Sequence, residues 1–176
     1  VFHNPPAAQE LEGRMEAMCD FANATDEPVF IHPVIRSIIL HFWLAYDHPF
    51  VDGNGRTARA LFYWSMLHHG FWLFEFVSIS RLLKNAPAQY GKAFLYTETD
   101  DNDLTYFLVH QLEIIQRSIE DLHTYLQKKT EETLEAEKRL RGMKRLNHRQ
   151  QALIAHALRH PHSAYTIESH RMSHGI

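Results

Sequence analysis

The sequence predicts an all-α fold, and three observations predict it. Apolar residues recur at three- and four-residue steps through nearly every segment. Helix-starting and helix-stopping residues punctuate those segments at helical lengths. The one stretch that alternates, FWLFEFV (71–77), is short and lies between Gly70 and Ser78, so no strand pair is needed to account for the chain. We read it as an extended connector.

The elements follow in order. NPPAAQELEGRMEAMCDFANA places prolines in a first turn, then Leu11, Met15, Met18 and Phe21 on one face. TDEP (25–28) breaks it. A second helix starts near His32-Pro33 and carries Val34, Ile35, Ile38, Ile39, Phe42, Trp43 and Tyr46, a stripe broad enough to be buried on more than one side. A third runs from Asn54 or Gly55 to His69, with Gly70 as its stop. Short helices are expected at 79–84, with Ser78 as cap, and at 86–98. Asp103 caps a long amphipathic helix from Leu104 through Phe107, Leu108, Leu112, Ile115, Ile119, Leu122 and Leu126. Near 127 the composition turns to charge on nearly every face, with glutamates spaced to pair with lysines and arginines, as in a solvated connecting helix. Asn147 then caps a helix bearing Leu153, Ile154 and Leu158; HPHSAY turns; TIESHRMSHGI begins another. Two short helices cannot bury a core alone, so this tail reads as the opening of a second domain. The expected organisation is a core over 1–126, a charged connecting helix over 127–145 and a partial domain over 146–176.

Bulk properties narrow the function. The 176 residues are 45% hydrophobic and 22% charged, which suits a soluble globular protein rather than a disordered one. A net charge of −3 excludes a global basic field for nucleic acid or acidic membranes. The 14 histidines scatter without HExxH or a Cys/His ligand pattern. Cys19 has no internal disulfide partner, no signal-peptide pattern opens the chain, and no apolar run reaches membrane-span length. A cytoplasmic protein without a membrane partner is the expectation, and the Asn23-Ala24-Thr25 sequon is read as chance.

One stretch interrupts this core-forming sequence with polar, flexible residues: HPFVDGNGRTAR, residues 48–59. Gly53, Asn54 and Gly55 open a helix, where N–H groups lack intrahelical partners and the macrodipole is positive. Glycine there lets a ligand approach the backbone. Arg56 and Arg59 lie three apart, so both guanidiniums border that terminus. Amides and arginines together form an anion site with room for more than one phosphate. Asp52 is a poor neighbour for phosphates unless a cation lies between, and one carboxylate plus phosphate oxygens is how Mg²⁺ is usually held. His48 enters the site on the preceding loop, and imidazole titrates near neutrality, as a general base should. These residues alone do not choose between adenylyl and phosphoryl transfer.

HPFVDGNGRTAR resembles the signature of the Fic (filamentation induced by cAMP) family, HxFx[DE]GN[GK]RxxR, and matches it at every defined position. The resemblance extends to NPP before the first helix, to HPVIRSIILHFWLAYDHPF and to DNDLTYF, and covers residues 1 to about 126. It implies a Fic-type helical bundle, an enzyme, and transfer of AMP from Mg-ATP to a Tyr, Ser or Thr hydroxyl of a target protein or of itself. By resemblance, His48 deprotonates the hydroxyl, Asp52 holds Mg²⁺, Gly53-Asn54-Gly55 forms the anion hole, Arg56 supports the phosphates and Arg59 contacts the γ-phosphate. Gly55 favours adenylyl transfer, because the related Doc kinases carry Lys there and Ala in place of Gly53. Tyr90, Tyr96 and Asp100 lie where the family builds part of its nucleotide pocket. The inhibitory [ST]xxxE[GN] pattern has no match; the nearest stretch, Thr133 to Lys138, ends in Lys. The family's target-docking flap lies before NPP, where only VFH is found. The tail is similar to the first helices of a winged-helix module, which leaves DNA, through the basic run Lys138 to Arg145, as an alternative partner. De-AMPylation, or transfer of another phosphate-containing group, is the alternative within enzymes, and a homodimer stays open.

Overall fold

The computed structural model describes residues 3, 5–23, 29–143, 145–160, 162, 164 and 166–173. The expected break at 25–28, the sequon's residues 24 and 25, Asn4, Lys144 and parts of the HPHSAY turn lie outside them. The regular elements among the described residues are all helices, with no strand. The order is a 3-10 turn (Ala8–Glu10), α1 (Leu11–Asn23), α2 (Pro33–Asp47), α3 (Asn54–His68), a 3-10 turn (Trp72–Glu75), α4 (Ile79–Asn85), α5 (Pro87–Thr99), α6 (Thr105–Arg141), α7 (His148–Arg159) and α8 (Ile167–Ser173). The chain divides into two compact units, residues 1–122 and 123–176.

In the first unit α2 is the central element because its apolar stripe serves two clusters. Ile38 and Phe42 pack with Phe62 and Met66 of α3, Phe74, and Phe107, Ile114 and Ile115 of α6. Leu40 and Leu44, on another side of α2, pack with Met18 and Ala22 of α1 and Ala58 of α3. Close approach of α2 and α3 is allowed by small residues: Ala58 is wholly buried, and the Ser37 and Ser65 hydroxyls are 2.8 Å apart across the interface. His32 caps α2 by accepting from the Val34 N–H at 3.2 Å, with Pro33 opening the helix as its fixed φ permits.

Two connections differ from expectation in instructive ways. The 71–77 segment is not extended; Trp72–Glu75 forms a 3-10 turn. An isolated strand would leave its amides unpaired, whereas here Phe74 N–H reaches Phe71 O and Phe76 N–H reaches Leu73 O, with Phe74 buried. Ser78 occupies the cap position of α4 but its side chain makes no capping bond. The Tyr63 hydroxyl takes that role from α3, accepting from Ile79 N–H at 2.9 Å and donating to Val77 O at 3.0 Å. Asp103 caps as expected, its Oδ1 accepting from Thr105 N–H at 2.9 Å.

The charged stretch continues α6 as helix to Arg141, with Lys129 on Glu132 and Arg139 on Glu135 at the spacings anticipated. In the second unit, Asn147 and Gln150 form a reciprocal capping box at the start of α7. Arg159 of α7 donates to Glu137 of α6 at 2.6 Å, and Leu140 is buried nearby in sequence.

Burial withdraws a histidine of α2 from water. His41 is about 1% exposed, and burial, then the charge of Arg59, lowers its pKa to about 3. The unfolded chain therefore binds a proton at a histidine that the folded chain keeps neutral. Stability from this residue is complete above about pH 6.5 and is lost as pH falls toward 3, by about 1.4 kcal/mol per pH unit. Urea titrations between pH 7 and 4 should show that slope, and His41→Phe should flatten it. In the same assay Phe107→Ala should cost about 3–5 kcal/mol, whereas Trp72→Ala, at an exposed ring, should cost less than about 1 kcal/mol.

Candidate active site between two helix ends

The carbonyls that end α2 and the amides that open α3 face the same short loop. His48 closes α2 in the left-handed region, at φ 48° and ψ 49°. Its N–H bonds Leu44 O at 3.1 Å, and its Nδ1 lies 3.3 Å from Ala45 O. A carbonyl only accepts, so Nδ1 carries the proton and Nε2 keeps a lone pair. The next carbonyl, Tyr46 O, receives His3 Nε2 at 2.5 Å, and His3 Nδ1 lies 2.6 Å from Glu98 Oε1. Two imidazoles thus satisfy the last turn of α2, whose negative dipole end favours such donors.

Across the loop, Gly53 precedes α3 at φ 92°, a conformation that favours glycine. The Asn54 side chain, 2% exposed, turns back on the loop: Oδ1 accepts from Phe50 N–H at 2.9 Å and Nδ2 donates to Phe50 O at 2.6 Å. The residue thereby clamps the loop with its side chain, leaving only its backbone N–H for an anion. Asn54 and Gly55 open the helix, so no preceding turn offers their amides a carbonyl.

The two arginines are held differently. Arg56 Nη2 is 2.9 Å from Asp52 Oδ2, while Asp52 Oδ1 accepts from Gly53 N–H at 2.6 Å. Both charged side chains are largely exposed, so the pair is screened and weak. Arg59 is half-buried and has no ion pair among the described residues. Its guanidinium folds over the helix opening: a Cβ on Gly55 would meet Arg59 Nη1 at 3.3 Å, and one on Gly53 would meet Arg56 Nη2 at 3.4 Å. Each glycine makes room for one guanidinium.

A cavity of about 300 Å³ adjoins both helix ends, with His48 and Gly55 in its lining beside Tyr90, Phe94, Glu98 and His3. Burial raises the Tyr90 hydroxyl well above its ordinary pKa, and it lies 3.1 Å from His41 Nε2. Of the three residues expected near a nucleotide, Tyr90 borders this cavity. Tyr96 lines a different groove with Tyr106, and Asp100 accepts from the Tyr106 hydroxyl at 2.9 Å. Glu98 and Phe94 share a face of α5 with Tyr90, a helical spacing that could have flagged them. His3 could not have been found that way, because it reaches Glu98 across 95 positions.

No group of three or more His, Cys, Asp or Glu that could hold a metal occurs among the described residues. The donor set at the loop is the single exposed carboxylate of Asp52. That fits a cation shared with phosphate oxygens, and does not fit a protein-only cage.

The Fic/DOC family model matches residues 1–66. The chain is 44% identical over 69 residues to a protein named protein adenylyltransferase Fic from Nematostella vectensis, a segment that is 39% of this chain and 16% of that protein. It is 37% identical over 67 residues to protein adenylyltransferase fic-1 of Caenorhabditis briggsae, covering 38% of this chain and 13% of that one. The Fic protein of Drosophila willistoni matches at 35% over 69 residues, 39% of this chain and 14% of the relative. The chain thus spans a small fraction of the length of the curated relatives it matches. No solved structure matches it.

The loop clamp is testable without a ligand. Asn54→Ala should remove the protection of the Phe50 amide in hydrogen exchange, while Asn54→Asp, which keeps the acceptor, should retain part of it. Gly53→Ala, forced to φ 92°, should cost about 1–2 kcal/mol in urea unfolding.

Proposed function

We propose that this chain, whose residues 1–66 match the Fic/DOC family model, transfers AMP from ATP to a hydroxyl of a protein target. One observation carries the reading: His48, whose Nε2 has no hydrogen-bond partner among the described residues, lines one cavity with Gly55, which opens α3 beside the Arg56 and Arg59 guanidiniums. Base and anion site are then within reach of a single phosphate ester.

In this reading the polyphosphate lies on the Asn54 and Gly55 amides, where the dipole of α3 and the fixed N–H groups stabilise negative charge without reorganising. Arg59, without an ion pair among the described residues, takes the terminal phosphate. Arg56 exchanges its Asp52 partner for a phosphate oxygen, which costs little because the exposed pair is weak. Asp52, so released, would hold Mg²⁺ together with the phosphates, and the bound cation supplies charge neutralisation there. The target hydroxyl attacks the α-phosphorus. An O–P bond forms, the bond to the bridging oxygen of the leaving pyrophosphate breaks, and the hydroxyl proton passes to His48 Nε2. The Tyr90 and Phe94 rings suit an adenine base in the adjoining cavity.

The same groups could remove AMP from a modified target, and an AMP-modified protein offered as substrate separates the two directions. The basic run from Lys138 favours DNA less, since Arg139 and Arg141 already pair with Glu135 and Glu137.

Incubation with ATP labelled at the α-phosphate should label protein, whereas γ-labelled ATP should not. His48→Ala should lower α-labelling by about 10²- to 10⁴-fold. Label from the γ position, or α-label unaffected by His48→Ala, contradicts the proposal. Gly55→Ala, whose Cβ meets Arg59 Nη1 at 3.3 Å, should raise the ATP KM more than it lowers folding stability.

A further inference from the structure

We propose that the ion pair between Arg14 of α1 and the buried Asp47 of α2 is a positioning device that sets the ring orientation and tautomer of His48. The inference rests on the reading of His48 as the base.

Asp47 ends α2, immediately before His48, and its side chain is 0% exposed. An apolar residue would fill that position without desolvating a charge, so the carboxylate calls for an explanation. Its partner comes from another helix. Arg14 Nε donates to Asp47 Oδ1 at 2.7 Å, and Nη2 lies 2.7 Å from the same oxygen. That bond raises the pKa of Arg14. Asp47 Oδ2 is buried with no partner among the described residues. All the compensation for this carboxylate therefore comes from one direction, which ties the end of α2 to α1.

The tie lies where His48 needs it. A non-glycine residue at φ 48° is held against its own preference, so its neighbours must determine it. The proton on Nδ1 depends on where the Ala45 carbonyl points, at 3.3 Å. Ala45, Tyr46 and Asp47 form one turn. Arg14 also sits 5.8 Å over the Tyr46 ring, and His3 holds the Tyr46 carbonyl. Freed from Arg14, the turn can fray, the Ala45 carbonyl can swing to solvent and the proton can move to Nε2, where a base cannot use it. Arg14 and Asp47 reach no substrate in this account; they act through His48.

The test is the set of imidazole nitrogen chemical shifts of the whole chain, with His48 assigned by comparison with His48→Gln. Above the titration range, wild type should show His48 as the Nδ1–H tautomer. Arg14→Ala should give a mixture, and Arg14→Lys, which restores the charge without the fork, should fall between. If Arg14→Ala does not fold, the double variant Arg14→Met/Asp47→Leu, which leaves no charge unpaired, carries the same expectation. In AMP transfer, the folded variants should lose about 10- to 100-fold in kcat with the ATP KM within about 2-fold. A tautomer unchanged in the folded variants overturns the proposal, even where the melting temperature falls. A mixed tautomer sustains it even if AMP transfer is found in no variant or in wild type, an outcome that counts against the proposed activity instead.

Discussion

The bidentate closure of Asn54 on Phe50 is the constraint on which the site depends. The segment between α2 and α3 joins two helices that must pack closely, yet it has to present an imidazole on one side and bare amides on the other. A loop of that composition, with a glycine at its end and no apolar side chain buried in it, has little else to hold it. Both bonds to Phe50 come from one buried amide side chain, which reads a donor and an acceptor of the same residue. Buried hydrogen bonds of this kind are expensive to leave unmade, so the clamp resists partial opening. Gly53 can then turn at φ 92° into α3, and the first amides of that helix point out of the loop.

The charges around the clamp are graded by burial. Arg56 and Asp52 are exposed and paired, a contact that water and salt weaken and that a ligand can replace. Arg59 is half-buried over Gly55, and its charge is felt by His41 and Tyr90. His41 stays neutral, chiefly because it is buried and secondarily because of that charge. Asp47 is the opposite case, a carboxylate wholly withdrawn from water and answered by Arg14. Asp47, Asp52, Arg56 and Arg59 thus differ in burial and pairing although they lie close in sequence.

Much of this was legible in the sequence because helical periodicity and chain punctuation are local. The α2 stripe, the start of α3 at Asn54, the stop at Gly70 and the Asp103 and Asn147 caps could all be read from spacing. So could the candidate site at residues 48–59, since its polar residues are contiguous. What could not be read depends on contacts between distant elements. Tyr63 capping α4 replaces the expected Ser78 because α3 passes beside that turn. The 3-10 turn at Trp72 replaces an extended connector because burial of Phe74 requires a chain that satisfies its own amides. His3 against Glu98, and Arg14 against Asp47, join positions with no pattern between them. The helix start and the motif both point to Asn54 as part of an anion hole, but that its side chain holds Phe50 is visible only in the fold.

The central claim is that the amides opening α3 bind polyphosphate beside His48. Backbone hydrogen exchange of the chain, with and without saturating ATP and magnesium, tests it most directly. The account predicts slower exchange at Asn54 and Gly55 and at no comparable helix start elsewhere in the chain. Nucleotide that binds while those two amides exchange at their free rate would contradict it.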